Sequence, residues 1–156
     1  MAAKKSAGVI LYRYRGGVLE MLLGHPGGPY YEGKPDAGVW SVPKGEPGPD
    51  ETDMEAVARR EFAEETGLSL SGPLTDLGTI MQRGGKEVSC WAAQGDINPA
   101  DARSNLFEME WPPRSGKIGH FPEIDKVAWF GSGEARLKIR AAQIPLLERL
   151  EHILRA

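Results

Sequence analysis

The 156-residue sequence has a single cysteine and no long apolar run. One cysteine forms no internal disulfide, which excludes the small disulfide-stapled domains of secreted proteins. That residue, Cys90, lies in the alternating run KEVSCWAA, a pattern that predicts a buried strand position rather than a nucleophile. No stretch approaches the roughly 20 apolar residues of a membrane-spanning helix, or the apolar region of a signal peptide. The sequence therefore predicts a cytoplasmic protein with no membrane partner.

The sequence also lacks an excess of positive charge. Its 19 lysine and arginine residues stand against 22 aspartate and glutamate residues, a formal net charge of −3. Because basic residues drive attachment to a phosphate backbone, duplex DNA is not an expected partner, whereas a nucleotide is. With 40% hydrophobic and 26% charged residues, the composition is that of an ordinary globular protein, and we expect one domain over 1–156.

Glycine pairs between alternating apolar residues predict two β-hairpins. Glycine tolerates the positive φ of tight hairpin turns, so the turns are placed at Gly16-Gly17 and Gly84-Gly85. The four hairpin strands are expected at 8–14, 18–23, 77–82 and 87–93, and two more short strands at 39–42 and 126–130.

The rest of the chain combines irregular segments with helices. Segments 24–38 and 110–122 are rich in proline and glycine and are expected to be irregular. A helix is expected over 53–66, and a helical C-terminus has Pro145 in a first turn. The pattern is that of an α/β (α+β) protein.

The helix over 53–66 carries acids on the face that should meet the protein. Thr52 or Asp53 can cap its start, and Gly67 can end it in the left-handed conformation. At about 100° per residue its apolar stripe contains Met54, Val57, Ala58 and Phe62, together with the acids Glu61 and Glu65 and, at its edge, Glu64. Acids at i, i+3 and i+4 repel one another, and the negative end of the helix dipole disfavours them further.

A divalent cation would offset this repulsion. Carboxylate oxygens suit Mg²⁺, with Mn²⁺ as an alternative. Zinc is disfavoured because Cys90 has no partner cysteine and the three histidines are far apart, with His25 and His120 expected in loops. The competing interpretation is a charged surface helix that binds no ion.

The segment around this helix resembles the signature of the Nudix hydrolase family. That signature is Gly, five residues, Glu, seven residues, then Arg-Glu-apolar-any-Glu-Glu-any-Gly-apolar; here Gly45 and Glu51 precede the run REFAEETGL at 60–68. The second half matches at every defined position. Eight residues rather than seven separate Glu51 from Arg60, so counting back from Arg60 places the first glutamate on Thr52. We therefore expect Glu51 to matter far less than Glu61.

The resemblance extends to SAGVILYR, WSVPKG, GGKEVSCW and PEIDKVAWF, and so to nearly the whole chain. It implies a Nudix fold, in which a mixed β-sheet is sandwiched between α-helices. It also implies an enzyme that uses Mg²⁺ to cleave a phosphoanhydride bond in a nucleoside diphosphate linked to another moiety, by attack of an activated water on phosphorus.

The resemblance assigns roles to particular residues. Glu61, Glu64 and Glu65 look like the metal-binding acids, the Gly45 carbonyl like a further ligand, and Arg60 like the residue that orients the glutamates. The general base is expected at Glu61 or Glu65 on the helix, or outside the motif, at Glu123. The alternatives to Glu123 are Glu87, Glu108 and Glu110.

Substrate identity rests on basic residues. Lys44, in WSVPKG, resembles the PKG of family members that act on dinucleoside polyphosphates or diphosphoinositol polyphosphates, and Arg114 and Lys117 could contact phosphates. A nucleoside triphosphate or dinucleoside polyphosphate is the expected substrate. A diphosphoinositol-polyphosphate or ADP-sugar hydrolase and a noncatalytic nucleotide sensor are the alternatives, and a homodimer is left open.

Overall fold

The first hairpin forms the middle of a six-stranded sheet in the computed structural model, which describes residues 4–155. Strands β1 (Lys5–Arg15) and β2 (Val18–Pro26) are antiparallel, with Gly16 and Gly17 at positive φ in their turn. The second hairpin, β4 (Thr75–Gln82) and β5 (Lys86–Gln94), adds alongside β1 through a parallel β1–β5 pairing. Both expected hairpins are confirmed.

The remaining strands complete a mixed sheet in the order β4-β5-β1-β2-β8. The edge strand β8 (Ile124–Gly131) pairs with β2, and the two-residue β3 (Lys44–Gly45) pairs with the start of β1. The strand expected at 39–42 is reduced to single bridges at Trp40 and Ser41, because Pro43 has no N–H with which to continue a ladder.

Helices cover both faces of this sheet. Because successive strand residues point to opposite faces, Val9 packs under α1 (Met54–Thr66), whereas Ile10 packs under α3 (Ile144–Arg155). The helix with Pro145 in its first turn is confirmed as α3, and the shorter α2 (Ser132–Lys138), which the sequence did not predict, lies on the same side of the sheet. This is the mixed sheet between helices that was expected. No helix of the described residues is long and apolar enough to cross a membrane.

The expectation that residues 110–122 are irregular is partly wrong. Strands β6 (Leu106–Glu110) and β7 (Ile118–Pro122) form a separate two-stranded sheet. The Pro-rich segment WPPRSGK forms only the turn between them. The pairing is supported by the Phe107 and Phe121 rings, whose centroids lie 6.1 Å apart across the strands. His120 lies in β7 and His25 in β2, so neither is the loop histidine expected.

Candidate active site

The helix α1 that carries the acids begins and ends at defined caps. Asp53, not Thr52, caps its start by accepting hydrogen bonds from the N–H groups of Glu55 (3.1 Å) and Ala56 (3.3 Å). Gly67 ends it at φ 81°, and its N–H donates to the Ala63 carbonyl. These caps fix which residues of the last two turns face the sheet.

The acids at the end of α1 lie at different depths. The Glu61 side chain is only 13% exposed, whereas that of Glu64 is 39% exposed. Burial raises the pKa of Glu65 to about 8, and the nearby Glu61 and Glu123 carboxylates act in the same direction. Burial also raises the pKa of Glu61. The helix therefore holds two carboxylates where their negative charge is unfavourable without a cation.

Arg60 holds the exposed side of the acid cluster. Its Nη1 donates to Glu61 Oε1 (2.9 Å) and to Glu64 Oε1 (3.0 Å). Its Nε and Nη2 form a two-pronged contact with Glu51, at 2.9 and 2.6 Å. One guanidinium thus joins three carboxylates and limits how far each can swing.

The extra residue before Arg60 does not keep Glu51 away from the acid cluster, whereas the expectation that Glu51 matters less than Glu61 stays a prediction. The turn 48–51 absorbs that residue: the Glu51 N–H donates to the Gly48 carbonyl (3.1 Å), and the Gly48 N–H donates back to Glu51 Oε1 (2.7 Å). Arg60 and this N–H lower the pKa of Glu51, so the carboxylate stays charged beside the guanidinium.

Glu51→Gln is expected to lower kcat by roughly tenfold, the low end of what an orienting partner of a metal ligand contributes. The substituted amide keeps one acceptor for Arg60 but loses the charge, so the effect should stay below that of Glu61→Gln. Steady-state kinetics beside Asp50→Asn, an exposed neighbour in the same turn, provides the comparison. Equal losses for Glu51→Gln and Glu61→Gln would contradict a purely orienting role.

Gly45 brings the loop backbone against the acids. A Cβ at this position would collide with the Glu61 carboxylate, so only glycine allows that side chain to lie along the loop. The Lys44 N–H donates to Glu65 Oε1 (3.0 Å), which ties the same short strand to the next turn of the helix. The structure therefore brings Gly45, Glu61 and Glu65 together.

The donor set fits a hard divalent cation. The carboxylates of Glu61, Glu64 and Glu65 and the Gly45 carbonyl are all oxygen ligands, which Mg²⁺ prefers. This set contains no histidine and no thiol. Among residues 4–155, no three carboxylates yet surround a common point. Arg60 Nη1 occupies one oxygen each of Glu61 and Glu64, and a cation of higher charge would compete for these oxygens.

A pocket of about 260 Å³ opens beside Glu65. We call it the mixed-charge pocket; its charged and amide-bearing lining residues are Lys44, Glu65, Gln82, Lys86, Glu123 and Arg140. Glu123 is held between two loops, since its N–H donates to the Asn105 carbonyl (2.9 Å) and its carbonyl accepts from the Gly27 N–H (3.0 Å). The pocket thus has both carboxylates and cations in its wall.

The cations of the mixed-charge pocket repel one another. Burial lowers the pKa of Lys44 to about 8, and the nearby Lys86 and Arg140 contribute in the same direction. Among residues 4–155, neither Lys44 nor Arg140 has a carboxylate within ion-pair distance. An anionic ligand would relieve this repulsion.

Sequence reasoning missed Gln82, Lys86 and Arg140. Gln82 ends β4, Lys86 begins β5, and Arg140 lies two residues after the end of α2. No local sequence pattern links positions so far apart in the chain. In the sequence, the PKG and GGK runs place Lys44 and Lys86 next to glycines, but no motif surrounds Arg140.

Other sequence-predicted residues lie away from this pocket. Arg114 and Lys117 are exposed in the β6–β7 turn, where the Arg114 N–H donates to Glu110 Oε1 (2.8 Å). Of the alternative bases, Glu108 pairs with His120 (3.0 Å) on the exposed hairpin, and neither Glu110 nor Glu87 lines the pocket. Cys90 is buried in β5, as expected, and burial raises its pKa to about 12.

The family model described as NUDIX domain matches residues 3–150 of this chain. A Caenorhabditis elegans Ap4A hydrolase, solved as a binary complex, is 25% identical with a TM-score of 0.68, and the match covers 98% of each chain. A mutT/nudix family protein from Listeria innocua is 22% identical, with a TM-score of 0.65 and 99% and 96% of the two chains covered.

A third similar structure is the NUDIX domain of Shewanella oneidensis NrtR, solved in complex with ADP ribose. It is 16% identical with a TM-score of 0.70, over 99% of this chain and 90% of that one. No curated protein matches this sequence. At these identities the Listeria and Shewanella structures bear on the fold alone.

Proposed function

The chain belongs to the Nudix family and is a pyrophosphohydrolase, and from this premise we propose that it hydrolyses a nucleoside triphosphate or dinucleoside polyphosphate with Mg²⁺. Mn²⁺ is the alternative ion. The observation that carries the proposal is the mixed-charge pocket of about 260 Å³, which is lined by the partly buried Glu65 together with Lys44 and Arg140. Among residues 4–155 these two cations have no carboxylate at ion-pair distance, so a chain of phosphates would complement them while its metal ion complements Glu65.

Glu61, Glu64, Glu65 and the carbonyl of Gly45 would hold the ion. When bound, Mg²⁺ neutralises phosphate charge and lowers the pKa of water. Arg60 acts as a positioning residue, because its three carboxylate contacts limit the rotamers of Glu61 and Glu64. Partial burial keeps these acids away from competing solvent.

Glu123 serves as the general base in this proposal. It lines the pocket beside Glu65, and its backbone is fixed by hydrogen bonds on both sides. Its carboxylate takes a proton from the attacking water as the water oxygen bonds to phosphorus. The phosphoanhydride P–O bond breaks, and the leaving phosphate keeps the electron pair.

Lys44 is proposed to contact the phosphate chain. Its partly buried ammonium lies in the pocket with Lys86 and Arg140, which favours a ligand of high negative charge over a nucleotide sugar. The C. elegans Ap4A hydrolase supports the same substrate class. Arg114 and Lys117, outside the pocket, would serve only a distal part of a long substrate.

Two measurements test the reaction and its substrate. Hydrolysis in ¹⁸O-labelled water, read by mass spectrometry, is expected to place the label on a phosphate product. A panel of nucleoside triphosphates, dinucleoside polyphosphates, nucleotide sugars and diphosphoinositol phosphates with Mg²⁺ ranks the substrates. Label found only in a sugar hydroxyl would refute the chemistry, whereas a preference for ADP-ribose would overturn the substrate ranking alone.

Lys44→Ala is expected to reduce kcat/KM for a dinucleoside polyphosphate by roughly tenfold more than for a nucleotide sugar, because it removes a charge that stabilises the more anionic transition state. Lys5→Ala, an exposed lysine on β1, is the control for net charge. Equal losses on both substrates would mean that Lys44 does not select for phosphate charge.

A noncatalytic nucleotide sensor is the alternative that the sequence left open. A sensor would bind nucleotides without releasing phosphate at any divalent-ion concentration. A sensor also has no need of buried acids that repel one another, which favours the enzyme. A cytoplasmic location, a small-molecule rather than DNA partner and a homodimer stay predictions.

A further inference from the structure

Gln143 is a completely buried amide beneath the mixed-charge pocket. It ends the short 3₁₀ segment Ala141–Gln143 just before α3 and has no exposed surface. Its side chain contacts Ser41, Val42 and Gln82, all of which line the pocket. A buried amide with all its partners in one wall acts to hold that wall in place.

The hydrogen bonds determine which way the Gln143 amide points. The Val42 N–H can only donate, and it lies 3.0 Å from Gln143 Oε1, so this atom must be the oxygen. The Gln143 Nε2 is then a donor, and it gives hydrogen bonds to Gln82 Oε1 (2.8 Å) and Ser41 Oγ (3.0 Å). The Val42 N–H thereby sets the orientation of the Gln82 amide as well as that of Gln143.

Because the oxygen of Gln82 accepts from Gln143, the NH₂ group of Gln82 is the part left for the pocket. Among residues 4–155, Gln82 Nε2 has no hydrogen-bond partner. Gln82 is also the cross-strand partner of Lys86 in the β4–β5 hairpin, and both residues line the pocket. Lys44 and Arg140 line the same pocket. The Gln82 NH₂ thus shares the pocket with three cationic donors, of which Lys86 also has the Glu46 carboxylate 3.7 Å away.

We infer that Gln82 donates a hydrogen bond to a phosphate oxygen of the substrate, next to Lys86 and Arg140, and that Gln143 is the positioning residue that keeps its NH₂ toward the pocket. The inference rests on the proposed polyphosphate substrate. Phosphate oxygens accept hydrogen bonds at neutral pH, so they match the Gln82 NH₂ and the cations that line the same pocket.

Gln82→Met removes the donor without adding charge, and Gln82→Glu replaces it with an acceptor that repels phosphate. We expect KM for a dinucleoside polyphosphate to rise by roughly tenfold in Gln82→Met, the typical loss of a charge-assisted hydrogen bond, and by more in Gln82→Glu. kcat should change little. Gln94→Glu, an exposed glutamine at the end of β5, makes the same charge change away from the pocket and should behave as wild type.

A double-mutant cycle tests the role of Gln143. Gln143→Met frees the Gln82 amide to rotate, so it should raise KM in the wild-type background but add nothing in the Gln82→Met background. If Gln143→Met raises KM equally in both, Gln143 does not act through Gln82. Should this variant fail to fold, the two Gln82 variants decide the contact by themselves.

The Gln82 contact can be tested without catalysis by measuring the binding of imidodiphosphate, whose P–N–P bridge resists hydrolysis. This measurement separates the inference from the proposed function. Calorimetry with Mg²⁺ should show an affinity about tenfold weaker for Gln82→Met than for wild type. An unchanged affinity and an unchanged KM would overturn the Gln82 contact even if the enzyme hydrolyses polyphosphates. Weaker binding in Gln82→Met would uphold the contact even if wild type hydrolyses no dinucleoside polyphosphate.

Discussion

Replacing Glu65 by glutamine is expected to lower kcat by at least about 10²-fold at saturating Mg²⁺, the loss typical of removing one preorganised charge from an active site. Glu64→Gln should have an effect of the same order. The reason is that both changes remove a charged oxygen donor from the end of α1 while keeping the shape of the side chain. Steady-state kinetics over a Mg²⁺ titration measures both kcat and the apparent metal affinity.

The fold should survive Glu65→Gln. The amide oxygen of the new side chain can still accept the Lys44 N–H, and the change removes a carboxylate whose burial already raises its pKa to about 8. The melting temperature of the metal-free variant should therefore equal or exceed that of wild type, while the rise in melting temperature on adding Mg²⁺ should shrink.

Glu55→Gln is the matched control for the acid series. Glu55 is in the first turn of the same helix, its side chain is 46% exposed, and its nearest cation is Arg59 at 3.8 Å. Its replacement should leave kcat unchanged. Near-normal rates in both Glu64→Gln and Glu65→Gln would show that the metal site lies elsewhere.

Glu123→Gln is expected to reduce kcat by roughly 10²–10⁴-fold, the contribution of a positioned general base. Glutamine can hold the attacking water but cannot take its proton. Mg²⁺ affinity should change far less than in Glu65→Gln, because Glu123 lines the pocket without being one of the proposed ligands. Single-turnover kinetics separates the chemical step from product release.

Glu108→Gln tests the competing assignment of the base. Glu108 pairs with His120 on the exposed β6–β7 hairpin, and its side chain is 71% exposed. We expect no loss of turnover from this variant. If Glu108→Gln abolished activity and Glu123→Gln did not, the hairpin would have to close over the pocket during the reaction.

Local patterns were enough to predict most of the secondary structure. Glycine pairs located both hairpin turns, and Gly67 marked the end of α1. The acid-bearing face was predictable because helical geometry relates Glu61 and Glu65 to Phe62 within two turns. The β6–β7 sheet was missed, since the pairing of its strands depends on residues on both sides of a Pro-rich turn.

For Glu51, its place in the sequence motif and its place in the folded structure lead to different conclusions. Along the chain the extra residue moves Glu51 out of step, but a turn at Gly48 takes up the difference and lets its carboxylate reach Arg60. A loop can change its path at little cost, whereas a helix cannot. The residues of α1 were therefore predictable, and the loop residue before it was not.

The sequence by itself determined the family, the sheet between helices and the face of α1 that gathers Glu61, Glu64 and Glu65, because each depends on residues a few positions apart. Only the tertiary structure decided which residues share a pocket with Glu65. Lys44, Gln82, Lys86 and Arg140 share one pocket because β3, β4, β5 and the segment after α2 converge there. The orientation of the Gln82 amide depends on Gln143, 61 residues away, and hydrogen-bond direction at that range is set by packing alone.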